Sequence, residues 1–327
     1  MSKRRMLLVW NGNKEEVLRV IAELRKIGHE VVYLITSEKK YFEIPGVIVH
    51  IDDDARMGIG APAVDTSAFM PPGAELIRSL YKTESLILTM MNRKVERVGH
   101  PMTLDEKKRL YYELLRYWNG ILAEHKLDCV IFPAVPHNVS NFVLYALARS
   151  RSISTILFQE SWASDRILLQ NEYDKQSPFL LEALKENEGK EISSDDLAPD
   201  LKEYYEAHNT EKDTTPFDVV LIRNQYDLYN RLHLKGAAFI RSILDFTVFN
   251  KVRLYILRQW GNNLKKEYAR YASSVETGKK YIYVPLHWQP ECTTSPLGDM
   301  FVDQILLVET LSASVPPDWV IYVKEHP

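Results

Sequence analysis

Apolar positions along the chain alternate between short β-prone runs and longer stretches at helical spacing. Met6 to Trp10 is a continuous apolar run, the kind that fits a strand covered on both faces, and the polar turn Asn11-Gly12-Asn13 follows it. Val17, Leu18, Ile21, Leu24 and Ile27 then share one helical face, and Gly28 stands where a C-cap belongs. His29 to Ile35 and Val47 to Ile51 read as the next two strands. This strand, helix, strand opening predicts an α/β domain with a largely parallel sheet.

Residues 53–75 break the rhythm with Gly58, Gly60, Pro62, Pro71, Pro72 and Gly73, which predicts a long loop at the sheet edge, a kind usually functional or disordered. Ala74 to Val98 and Leu104 to His125 read as helices, the second carrying Leu110, Tyr111, Leu114, Leu115, Trp118 and Leu122. Cys129 to Phe132 is a strand, with Pro136, His137 and Asn138 in the loop beyond. Phe142 to Arg149 is a helix, and Thr155 to Phe158 a strand ending in Gln159, Glu160 and Ser161. From Glu186 to Pro216 the chain turns polar and acid-rich, a surface excursion or linker. Residues 218–275 are rich in helix formers and carry Lys251, Arg253, Arg258, Lys265, Lys266 and Arg270. This reads as a connector with a solvated basic face in preference to a membrane-surface helix.

The final stretch repeats the opening pattern: Tyr281 to Leu286 as strand, Asp299 to Ala313 as helix, Trp319 to Val323 as strand. Such a βαβ unit makes a right-handed crossover, so the loops after both strands open on one edge of the sheet, the edge where α/β proteins bind ligands. The first loop holds His287, Gln289, Glu291, Thr293, Thr294 and Ser295; the second holds Lys324, Glu325, His326 and Pro327. The expected organisation is an N-terminal Rossmann-like domain over 1–184, a polar acidic linker over 185–217, a helical connector over 218–278 and a second α/β domain beginning at 279–327. Two strands and one helix do not make a stable sheet alone, which predicts a C-terminally truncated piece of a longer protein.

Composition narrows the function classes. The chain has 46% hydrophobic and 26% charged residues and a net charge of -3, which gives no argument for a nucleic-acid partner. Two cysteines make no disulfide framework. The basic start Lys3-Arg4-Arg5 precedes too short an apolar run for a signal peptide, and Arg241, Asp245, Lys251 and Arg253 interrupt the best membrane-span candidate. No Gly-x-Gly-x-x-Gly in strand-to-helix context, no P-loop, no His-Glu-x-x-His and no paired Cys-x-x-Cys occurs, so neither a metal nor a resident cofactor is expected.

Chemistry then falls to the polar loops. Glu291 and Glu325 are the candidate general acid and base, each with a solvated loop acid as the alternative. His326 at a strand exit can donate to a phosphate oxygen, and Pro327 suits the start of a following helix. His287 and Gln289 can bind hydroxyls or phosphate, while Thr293, Thr294 and Ser295 are ligand groups or turn and cap residues. In the first domain the crevice-facing loops are Asn11 to Lys14, Pro136 to Asn138 and Gln159 to Ser161, with His137 foremost.

The segment YVPLHWQPECTTSPLG, followed by a helix and IYVKEHP, resembles bacterial proteins of surface and capsular polysaccharide biosynthesis. Those are similar to capsule transferases that add 3-deoxy-manno-octulosonic acid from a cytidine-monophosphate sugar. The resemblance is close over Tyr281 to Pro327 and rests on element order over the first 170 residues. It implies a GT-B glycosyltransferase, with two Rossmann-like domains facing a cleft and the second one incomplete. It carries the donor-phosphate contact onto the His326-Pro327 pair alone; the other loop residues keep their reading by position, Lys324, His287, Gln289, Thr293, Thr294 and Ser295 on the donor side and Asn11, Asn13, His137, Asn138 and Glu160 on the acceptor side. The implied partners are a nucleotide sugar and a glycan or glycolipid acceptor; the implied location is cytoplasmic, with peripheral inner-membrane association. A polyol-phosphate transferase or sugar-nucleotide epimerase on the same fold, and a non-catalytic capsule-assembly protein, stand as alternatives.

Overall fold

A computed structural model of the chain describes residues 3–94, 102–161, 163, 166–209, 264–274, 278–289 and 291–326. It is a mixed α/β structure whose central sheet is mostly parallel, in the order β3-β2-β1-β4-β5-β6. The strands are β1 (Arg5–Trp10), β2 (Glu30–Thr36), β3 (Ile48–Ile51), β4 (Cys129–Phe132), β5 (Ser154–Glu160) and β6 (Ile167–Gln170). The first five pair in parallel and β6 joins antiparallel to β5.

Side chains alternate across β1, so its apolar run feeds two cores. Met6 and Leu8 pack with Val17 and Ile21 of helix α1 (Lys14–Lys26), together with Val31, Leu34 and Ile131. Leu7 and Val9 face the opposite core, built from α4 (Tyr81–Met90), α5 (Leu104–Glu124) and α6 (Val139–Ser150). That second core holds the fully buried Trp118, whose Nε1–H donates to Ser140 Oγ at 3.1 Å. Helix starts follow local chemistry: Asn13 with Glu16 and Thr103 with Glu106 form capping boxes at α1 and α5.

The loop of residues 57–73 is held firmly against the core. Arg116 Nη1 donates to Thr66 O at 3.1 Å, and Phe69 packs so closely on Gly120 of α5 that a Cβ there would overlap its ring. A buried chain of hydrogen bonds does the rest. Ala61 N donates to Tyr117 Oη at 2.9 Å, the two tyrosine hydroxyls of Tyr117 and Tyr33 meet at 2.7 Å, and Tyr33 Oη lies 2.7 Å from His50 Nδ1. His50 Nε2 lies 2.9 Å from Ile59 O, and a carbonyl only accepts, so Nε2 carries the proton and Nδ1 accepts from Tyr33. Burial lowers the His50 pKa from 6.5 to about 4 and pushes that of Tyr33 well up, so all members stay neutral.

Several elements differ from the sequence expectation. The long helix expected from Ala74 is broken at Leu80 into α3 (Ala74–Ser79) and α4, and it ends in a 3-10 turn at Met91–Lys94; Val98 lies outside the described residues. A short helix α2 (Asp52–Arg56) follows β3 directly. Gln159 and Glu160 belong to β5 itself and not to a loop, because Ile167–Gln170 supplies an antiparallel partner in which Glu160 faces Ile167.

The chain divides into two compact units, Met1–Glu191 with Tyr281–Pro327, and Ile192–Lys280. The first also contains α7 (Pro178–Glu186). Within the second, a 3-10 turn at Ser194–Asp196 has its own capping box, and α8 (Pro199–His208) begins on a proline. Thus the stretch expected as linker is partly helical. The expected connector is described only at α9 (Leu264–Tyr271) and the residues beside it; Lys251, Arg253 and Arg258 lie outside the described residues.

The closing unit is β7 (Tyr281–Pro285), α10 (Gln304–Ser314) and β8 (Val320–Lys324), with the two strands parallel and in register from Tyr281↔Val320 to Pro285↔Lys324. α10 starts later than expected. Asp303 caps it, accepting from Ile305 N at 3.0 Å, and Asp299–Val302 form a separate 3-10 turn. Much of the unit's apolar surface is open, including Tyr281, Tyr283, Met300 and Ile305, the last 70% exposed. Among the described residues no helix is long and apolar enough to cross a membrane.

Candidate functional site

In the order β3-β2-β1-β4-β5 the chain leaves β1 and β4 in opposite directions, which opens a crevice outside their carboxyl ends. The loops after β1 and β4 each end in an asparagine that caps the next helix. Asn13 accepts from Glu16 N at 3.0 Å, and Asn138 accepts from Asn141 N at 2.8 Å. Capping is therefore the first task of both side chains. Asn138 Nδ2 also reaches Asp52 Oδ1 at 3.4 Å.

Asp52 is the residue here that the sequence reading passed over. It is buried, forms an ion pair with Arg56 one helical turn on, and links the end of β3 to the start of α6. Its signal was present: three aspartates directly after a strand, with an arginine four residues beyond the first. His137 is exposed, and its Nδ1–H donates to Val135 O at 2.9 Å. Asn11 is exposed beside Gly12, where a Cβ would stand 2.6 Å from Glu16 Oε2 and so would push the capping-box carboxylate aside. A cavity of about 470 Å³ lies alongside, lined by Gly12, Asn13, Ser37, Glu38, Lys39 and Lys40. Glu38 accepts from Lys14 N at 2.8 Å and so places its own carboxylate at the start of α1.

The second cluster surrounds the carboxyl ends of β7 and β8. Trp288 and His326 bring its two loops together, their ring centroids 5.8 Å apart. Several predicted ligand groups instead hold the loop in place. His287 N donates to Gln304 Oε1 at 2.7 Å and Gln304 Nε2 returns to His287 O at 3.0 Å, while Gln289 Nε2 donates to Val302 O at 2.7 Å. Thr294, buried, donates to Glu291 O at 2.9 Å and accepts from Glu291 N at 3.2 Å, a closed turn that also buries Ser295. Thr293 Oγ1 is buried with no hydrogen-bond partner among the described residues. The side chains of His287, Glu291, Lys324, Glu325 and His326 are exposed, and Pro327 lies outside the described residues.

These two edges expose the side chains of Asn11 and His137 on one and of His287, Glu291, Lys324, Glu325 and His326 on the other. Among the described residues no group of His, Cys, Asp and Glu is placed to hold a metal ion. The chain matches no known family model and no curated protein.

Proposed function

We propose that the chain is a glycosyltransferase of the GT-B kind, moving a sugar from a nucleotide-sugar donor to a surface or capsular polysaccharide or its lipid-linked precursor. In the family that Tyr281 to Pro327 resembles, the donor is linked to cytidine monophosphate. The observation that carries the reading is the meeting of Trp288 with His326 at the carboxyl edge of a parallel strand pair. That edge is where a phosphate-bearing ligand docks on such a sheet. The six-stranded sheet supplies a second edge with its own switch point, which suits the acceptor side.

In the proposed reaction an acceptor hydroxyl attacks the anomeric carbon, and a new C–O bond forms as the bond to the donor phosphate breaks. The bonding electrons leave on the phosphate, and the hydroxyl proton passes to a carboxylate, for which Glu291 and Glu325 are the candidates. His326 and Lys324 stabilise the charge that grows on the departing phosphate.

Calorimetric titration of the purified chain with cytidine monophosphate and with uridine diphosphate tests this reading. Binding of one nucleotide is expected, weakened about tenfold, equivalent to about 1.4 kcal/mol, by His326→Ala. Neither nucleotide binding, or binding indifferent to His326→Ala, would overturn it.

A further inference from the structure

A second cavity, of about 440 Å³, lies between the two sheets and shares the loop after β7 with the second edge. It is lined by Gln159, Gln170, Tyr173, Asp174, Lys175 and Gln176 on one side and by Pro296, Leu297 and Asp299 on the other. Its first wall is the β5–β6 hairpin and the chain that follows it. Gln170 faces Leu157 across the strand pair, and Gln159 lies two residues along β5, so both amides project from one face of the hairpin. Its second wall is the loop after β7, within the same compact unit.

Both walls are stiff. Tyr173 is wedged edge-on against Phe142 and Tyr145 of α6, with centroids 5.3 and 5.7 Å away, and its backbone N donates to Tyr145 Oη at 3.4 Å. On the other wall a Cβ on Gly298 would stand 2.5 Å from Thr294 O, so the loop folds back on itself as closely as a glycine allows. The cavity is therefore preformed, and its volume is in the range of small-molecule sites.

The lining chemistry selects the ligand. Three amides offer donors and acceptors in pairs, the form that vicinal hydroxyls recognise, and a fixed aromatic ring supplies an apolar surface for a sugar's C–H face. Charge argues against an anion. Burial raises the Tyr173 pKa, and the nearby charges of Asp174 and Asp299 add to it, whereas Lys175 is drawn to Glu172 at 2.8 Å. Phosphate or carboxylate ligands meet repulsion here, and neutral hydroxylated ones do not.

We infer that this cavity between the β5–β6 hairpin and the loop after β7 is a subsite for a neutral sugar residue of a glycan. Its assignment to the acceptor rests on the transferase reading; the binding itself does not.

Saturation-transfer NMR on the whole chain, with methyl glucoside and methyl N-acetylglucosaminide as neutral probes and glucuronate as the anionic match, tests it. Transfer to at least one neutral glycoside is expected, with glucuronate weaker. Gln170→Leu is expected to reduce the transfer at least about fivefold at an unchanged melting temperature, and Gln176→Ala, on the exposed rim, to reduce it as well. Absence of transfer to both neutral glycosides, equal transfer to glucuronate, or transfer that survives both substitutions would each overturn the inference. Nucleotide binding without sugar binding removes the subsite and leaves the transferase reading standing; sugar binding without nucleotide binding does the reverse.

Discussion

The arrangement of β1, α1 and β2 and that of β7, α10 and β8 are the same motif in opposite surroundings. In the first, Leu7, Leu8, Val9, Val31, Tyr33 and Leu34 are all fully buried, because helices cover both faces and β3 and β4 flank the pair. In the second, the sequence is just as apolar, yet Val284 is the one strongly buried hydrophobic residue among its described strands and helix. Burial is thus not a property of the pattern. It comes from the number of layers packed against the pattern, and a two-stranded sheet with one helix brings too few.

Substitutions in the covered core around the six-stranded sheet and on the open closing unit sharpen this contrast, beginning with the largest expected effect. Trp118→Ala removes a fully buried indole and leaves Ser140 Oγ without its donor; a loss of about 3–5 kcal/mol is expected in urea unfolding. A loss below about 1 kcal/mol would mean that the first core is as loosely covered as the second region.

Acid should act on the first region next. His50 has a folded pKa near 4 against an ordinary 6.5, so between these values the unfolded chain binds more protons and stability rises with pH. Its contribution is fully present above pH 6.5 and is lost as pH falls towards 4, by about 3 kcal/mol in all. The difference in unfolding free energy between the wild type and His50→Gln, followed from pH 7 to 4.5, is expected to change along this slope. A constant difference would show that His50 already accepts a proton in the folded state.

The smallest effect belongs to the second region. Ile305→Ala, at a 70% exposed position, is expected to alter global stability by no more than about 0.5 kcal/mol. A loss near that of Trp118→Ala would break the comparison, since it would require Ile305 to be covered.

The same contrast explains what was legible in the sequence. β1, α1, β4 and the strands β7 and β8 were readable because an uninterrupted apolar run or a clear helical face marks each of them. β6 was missed because Ile167–Gln170 is a short edge strand whose identity depends on its antiparallel partner β5. Tertiary pairing also extended β5 through Gln159 and Glu160, residues that propensity alone leaves in a loop. α2 was missed because Asp-Asp-Asp-Ala-Arg has no apolar period; an acidic first turn and the Asp52–Arg56 pair hold it.

Candidate site residues divided in the same way. Polar loop residues were found by position, but their tasks were not visible. Asn13 and Asn138 cap helices, while Gln289 and Thr294 tie one loop together. The cavity with Gln159, Gln170 and Tyr173 escaped notice because its two walls are more than a hundred residues apart in sequence, and no local pattern announces such a meeting.

The hydrogen-bond chain from Ala61 through Tyr117, Tyr33 and His50 begins and ends on the same turn, since its last acceptor is Ile59. Each link comes from a different part of the fold: a helix, two neighbouring strands and the loop. The turn therefore closes on α5, β2 and β3 at once. The two ends of the hydrogen-bond chain are fixed, since Ala61 N–H only donates and Ile59 O only accepts, so donation runs in one sense from Ala61 to Ile59 and neither hydroxyl can reverse without losing a link.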